Sequence, residues 1–127
     1  MGDFGVRLKN AYDAGDKKTL KKMAKECDVV MKKVETLRDK HYNTWMEHYK
    51  PFGWEVMDNR YGGILNRYKT TKDRLLKYLS GELSSLPELQ EERLRLDGVL
   101  DDSTPKIDFR MIWRHYADVA TANPITY

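Results

Sequence analysis

The chain has 127 residues, a charged fraction of 34% and a hydrophobic fraction of 40%, with a formal net charge of +3. That length fits one domain with one modest core, and no apolar run approaches the ~20 residues of a helical membrane span. The mild charge demands neither a nucleic-acid nor a membrane partner, and the single cysteine, Cys27, excludes an internal disulfide framework and suits a reducing, cytoplasmic compartment.

No basic-then-apolar leader opens the sequence. A helical pattern begins almost directly after Met1-Gly2, so the chain reads as a fragment cut from something longer. Phe4 to Ala14 is predicted as a short helix with Val6, Leu8, Ala11 and Tyr12 as its apolar positions, closed by Gly15. Asp16 is the expected N-cap of a second helix. There Leu20, Met23, Cys27, Val30, Val34, Leu37, His41 and Trp45 recur at alternating steps of three and four and draw one stripe from about Lys17 to Tyr49. Such a helix would be roughly 50 Å long and needs a partner for its apolar face.

Pro51 breaks that helix, because proline disfavours helical geometry at the residue before it. A third helix is predicted from Phe52 to Ser80 on Met57, Tyr61, Ile64, Tyr68, Thr71, Leu75 and Tyr78, with Val56 also assigned to the core side and Gly81 as the cap. A connection this short requires the two long helices to lie antiparallel or sharply bent, and the antiparallel hairpin is the favoured arrangement. Beyond it, one or two helical turns are expected in Leu86 to Arg93, a loop in Gly98 to Lys106, and a last helix up to Val119 carrying Ile112, Trp113 and Tyr116. The fold class is therefore all-α: an antiparallel helical bundle built on a long hairpin, with shorter N- and C-terminal helices.

The candidate chemistry is sparse. Lys17, Lys18, Lys21, Lys22 and Lys25 form a basic face, but that face lies opposite the apolar stripe and reads more simply as solvated surface than as a nucleic-acid site. His41 and His48 are seven apart, whereas metal-binding histidines on one helix are more often four apart. No metal site and no cofactor is assigned. Cys27 sits in the stripe with no histidine beside it and reads as a small buried hydrophobe. Glu55 and Asp58 are three apart, yet a lone helical hairpin offers no deep sugar pocket for a carboxylate pair, so no catalytic residue is assigned.

The stretch KPFGWEVMDNRYGG, Lys50 to Gly63, is harder to explain by local structure. Glycine within a helix costs about 1 kcal/mol relative to alanine, and here Gly62 and Gly63 stand together. Tight packing against the Pro51 turn is the bland reading, and contact with another domain is the sharper one.

That stretch, followed by ILNRYKTTKDRLLKYLSGE and LPELQEERL, resembles the C-terminal helical domain of bacterial family 20 glycoside hydrolases, the exo-acting β-N-acetylhexosaminidases. Lys50, Pro51, Phe52, Gly53, Glu55, Val56, Asp58, Arg60, Gly62 and Gly63 carry the first part of the likeness. Tyr78, Leu79 and Gly81 carry the second, and Pro87, Glu88, Leu89, Glu91, Arg93 and Leu94 the third. The likeness spans most of Asp3 to Leu96.

The resemblance implies a parent enzyme whose (β/α)₈ barrel precedes this module. In such enzymes the barrel carries an adjacent Asp-Glu pair, and the substrate's own acetamido group attacks the anomeric carbon. A barrel needs about 250 residues, so on this reading the chain alone is inert. Its partners would be the parent's catalytic barrel and a second copy in a homodimer, with no nucleic acid and no membrane. Lys50, Pro51, Phe52, Trp54, Glu55, Asp58, Arg60, Gly62 and Gly63 would form the docking surface or edge the substrate cleft. Phe52 and Trp54 would be its apolar anchors, and the two glycines would permit close approach. A free-standing helical interaction module is the alternative.

Overall fold

Three runs of apolar residues at helical spacing, separated by Gly15 and Pro51, fold as three helices. The computed structural model describes residues 3–91: α1 (Phe4–Asp13), α2 (Lys17–His48), α3 (Trp54–Ser80) and a single turn α4 (Pro87–Gln90), with no strand among the described residues. The expected loop after Gly98 and the last helix lie outside the described residues, as do the final residues of the LPELQEER segment.

Each boundary has a local cause. The Asp16 carboxylate accepts the Thr19 backbone N–H at 3.0 Å and the Thr19 hydroxyl at 2.6 Å, which satisfies one of the free donors at the start of α2. These bonds, that from the Thr19 side chain first, hold Asp16 below the usual carboxylate range. A carboxyl depressed by folding contributes stability that is present above its unfolded value and lost as pH falls through its folded value. Asp16→Ala should therefore lower the urea midpoint at neutral pH and flatten the most acidic part of the stability profile, read as urea midpoint against pH. At the other end of the hairpin, Gly81 ends α3 at φ +85°. Its N–H returns to the Tyr78 carbonyl, and the Leu83 N–H returns to that of Lys77.

The hairpin is antiparallel, as the pairs across it show. Lys72 donates to Asp28, Arg38 to Asp58, and His41 meets Tyr61, so partners close up toward the turn. Away from the turn lies the main apolar core. Leu8 from α1, Leu20 and Cys27 from α2, Leu75 from α3, and Leu86 and Leu89 around α4 are all fully buried there, with Phe4, Ala11, Met23 and Ala24 beside them. Phe4 packs edge-on to Tyr68 at 5.3 Å. The Tyr12 hydroxyl accepts the Leu86 backbone N–H at 3.0 Å, and Arg74 forms a 2.6 Å ion pair with Glu88, so α1 and α3 both hold the α4 turn.

Five expectations about core and boundary are corrected. Val6 is half exposed, because α1 buries the four-three series Phe4, Leu8 and Ala11 instead. Leu37 is 57% exposed, and Val56 and Ile64 are also exposed. The α2 stripe is closed by α1 and α4 only over its first half, and Leu37 and Ile64 lie beyond that cover. Finally, α3 begins at Trp54 and not Phe52, since Gly53 at φ +92° is outside helical geometry. That left-handed conformation favours glycine over any residue with a Cβ.

Candidate functional site

The turn between α2 and α3 is built around indole and phenol rings. Tyr49 leaves α2 in extended conformation, and its N–H bonds the Trp45 carbonyl at 2.8 Å. The Trp45 indole N–H reaches forward to the Lys50 carbonyl at 2.9 Å. Pro51 follows, and its carbonyl accepts the Trp54 N–H at 3.3 Å. Glu55, in the first turn of α3, accepts the Gly53 N–H at 2.9 Å through Oε2, and its charge also suits the positive end of the helix. Trp45 lies 3.6 Å from where a Cβ on Gly53 would stand, so backbone and ring are in contact there.

Behind this corner sits an aromatic cluster. Trp54 is 5% exposed. Its ring meets His41 and Tyr42 edge-on, both at 5.2 Å between centroids, Trp45 at 5.9 Å, and Tyr61 in a stacked arrangement at 6.4 Å. His41 Nδ1 and the Tyr61 hydroxyl are 3.0 Å apart. Arg38 closes the cluster, with its guanidinium 5.1 Å from the Tyr42 ring centre and 5.6 Å from that of Trp54. The same group donates to Asp58 Oδ1 from Nε at 3.0 Å and from Nη2 at 2.8 Å, and to Asp39 at 3.2 Å. The Asp58 bond first, and then that to Asp39, push the Arg38 guanidinium above its usual range.

The expected docking residues thus divide into two sets. Trp54 is corrected as an outward anchor, because its ring fills the chain's own cluster. Asp58 is bound to Arg38, and Glu55 is bound to Gly53. Phe52 is 85% exposed, and Lys50, Pro51 and Arg60 are exposed. Among the described residues Arg60 has no ion pair. Nothing lies within 4 Å of a Cβ placed on Gly62 or Gly63, so tight packing against the Pro51 turn is also corrected. Gly62 instead borders an open groove of about 370 Å³ whose other walls include Glu35, Arg38, Asp39, Asp58 and Leu65.

The empty space above both glycines has a measurable consequence. Gly62→Ala and Gly63→Ala are each expected to stabilise the chain by itself by ~0.4–1 kcal/mol in urea unfolding, since alanine is the better helix former and meets no atom.

Arg38 and Tyr42 were the residues that sequence reasoning missed. They do continue the helical spacing from Val34 toward Trp45, but a charged residue at such a position carries no signal of its partner twenty residues away. Elsewhere the described residues offer little chemistry. Burial pushes the Cys27 thiol up to about 11, with the Asp28 and Glu26 charges adding to the effect, so it stays protonated near neutral pH and is no nucleophile. His48 is exposed, with the Glu47 carboxylate 3.9 Å away. Among the described residues no group of three His, Cys, Asp or Glu side chains could hold a metal ion, and no helix is long and apolar enough to cross a membrane.

A search of curated proteins finds no match to the chain. The sequence profile of the Glycoside Hydrolase 20C C-terminal domain matches residues 2–107, which takes in the four helices of the described residues, the aromatic corner and the glycine pair. The chain therefore belongs to the family of C-terminal domains of family 20C glycoside hydrolases.

Proposed function

We propose that this chain is the accessory C-terminal domain of a β-N-acetylhexosaminidase. On this reading it takes no part in glycosidic bond cleavage. It packs against the catalytic portion and keeps that portion folded, and the removal of terminal N-acetylhexosamine residues is carried out elsewhere in the enzyme. The family match over residues 2–107 carries the proposal. The arrangement of polar side chains agrees with it. Glu55 and Asp58, the carboxylates of the first turns of α3, are both engaged in local bonds. Asp58 lines an open groove with Glu35 and Asp39, but its carboxylate is held by Arg38, which also bonds Asp39.

The test is an assay of the purified chain and of the whole enzyme on a chromogenic N-acetyl-β-glucosaminide. The whole enzyme should release the chromophore and the chain alone should not. Turnover by the chain alone that disappears in a Glu55→Gln variant would reassign it as a hydrolase in its own right.

A further inference from the structure

One face of the hairpin is covered by α1 and then left open. Arg7 pairs with Glu26 on α2, and Phe4 packs edge-on to Tyr68 on α3, so the covered face runs through Glu26 and Val30 on one helix and Tyr68 and Leu75 on the other. Leu37 stands seven residues after Val30, and Ile64 four before Tyr68, so both continue that face toward the turn. The register set by Lys72 with Asp28 and by His41 with Tyr61 places Leu37 and Ile64 at one level across the hairpin. The described helices leave these two side chains 57% and 40% exposed. The reason is length: α1 has 10 residues, whereas α2 carries its stripe on from Val30 to Trp45, roughly 22 Å farther.

The sequence after α4 holds a segment of matching pattern and size. Residues 92–127 lie outside the described residues. Within them Phe109, Ile112, Trp113 and Tyr116 recur at helical spacing, with Arg110, Arg114 and Asp118 on the other side of the pattern. A helix over residues 107–119 would be roughly 20 Å long, close to the length of the open face. The connection also reaches. The α4 turn is held beside Tyr12 and Arg74, and the rise of α2 from Leu20 to Leu37 is about 25 Å. Residues 92–106 span at most about 50 Å.

We propose that residues 107–119 of this same chain cover the open face, with Phe109, Ile112, Trp113 and Tyr116 seated over Leu37 and Ile64. An amphipathic segment of this length needs an apolar surface, as the two exposed side chains need cover. The proposal goes beyond the accessory-domain reading and does not rest on it. All but the first residue of the segment lies beyond the family match, so the cover belongs to this chain and not to the family profile. The hairpin would then be closed by its own C-terminal part, and the Leu37 face would be no interface with a second copy.

The experiment is hydroxyl-radical side-chain footprinting of the 127-residue chain over a range of protein concentrations, with each rate normalised to the same residue in the urea-unfolded chain. Val29, on the outer side of α2 and 53% exposed, is the reference for an open position. Leu37 and Ile64 should label several-fold more slowly than Val29 at every concentration. In an Ile112→Asp, Trp113→Asp double variant both should rise to the Val29 level while the buried Leu75 stays protected. Leu37→Asp, a change at a side chain that the described helices leave exposed, should make Trp113 label several-fold faster.

Leu37 and Ile64 labelling like Val29 in the unaltered chain would overturn the proposal. Protection that survives the double variant would also overturn it, by putting another segment on the face. Protection that grows with concentration would overturn it in favour of a second copy. If the double variant exposes Leu75 as well, the Leu37→Asp chain decides: a faster Trp113 with Leu75 still protected supports the seat, and an unchanged Trp113 rate overturns it.

Discussion

Trp54→Ala is expected to cost about 3–5 kcal/mol in equilibrium urea unfolding, the range for removing a buried large aromatic side chain. The ring lies beneath the Pro51 corner and touches His41, Tyr42, Trp45 and Tyr61. Its loss opens a cavity that the hinge, tied by the Trp45 to Lys50 bond, cannot readily collapse to fill. It also removes one aromatic platform from Arg38. A second substitution separates ring packing from hydrogen bonding. The Trp54 indole N–H is buried and has no hydrogen-bond partner among the described residues, so Trp54→Phe deletes a donor that contributes nothing there and keeps most of the ring. It should cost much less than alanine does. Equal losses for the two variants would mean that the indole nitrogen has a role the structure does not reveal.

Leu75→Ala, at the opposite end of the hairpin, is expected to cost ~2–5 kcal/mol. Leu75 is fully buried and belongs to the core that gathers α1, α2, α3 and the α4 turn. The two variants should differ in what they loosen. Leu75→Ala should raise amide exchange in α1 and around Leu86, where the Tyr12 hydroxyl holds the backbone. Trp54→Ala should raise it around Gly53 and leave α1 protected. Exchange that rises everywhere in both would show that the hairpin opens as one unit.

The long elements were legible because apolar spacing, capping and breaking signals agreed there. Asp16 before α2, the proline after it, and Gly81 at the end of α3 all stand where the sequence placed them. The upper half of the stripe was less legible. Leu37 continues the three-four rhythm, but periodicity reports which face a residue is on, not whether a third helix reaches it. Because α1 is only 10 residues long, it covers just part of α2. The corner was legible as unusual and not as to its cause. Proline, glycines and rings announced a costly turn, but spacing cannot tell which ring turns inward. Trp54 and Phe52 are two residues apart and have opposite fates, decided by the left-handed Gly53 between them. The Arg38–Asp58 pair depends on hairpin register, which helical periodicity does not encode.

The most direct test of the central claim is the thermal unfolding of the whole enzyme before and after removal of this domain, with activity on a terminal N-acetylhexosaminide measured on each at low temperature. The account predicts a catalytic portion that still turns over substrate but unfolds at a lower temperature, and that regains stability when the separate domain is added back. An unchanged unfolding temperature, together with loss of the catalytic step itself, would contradict it.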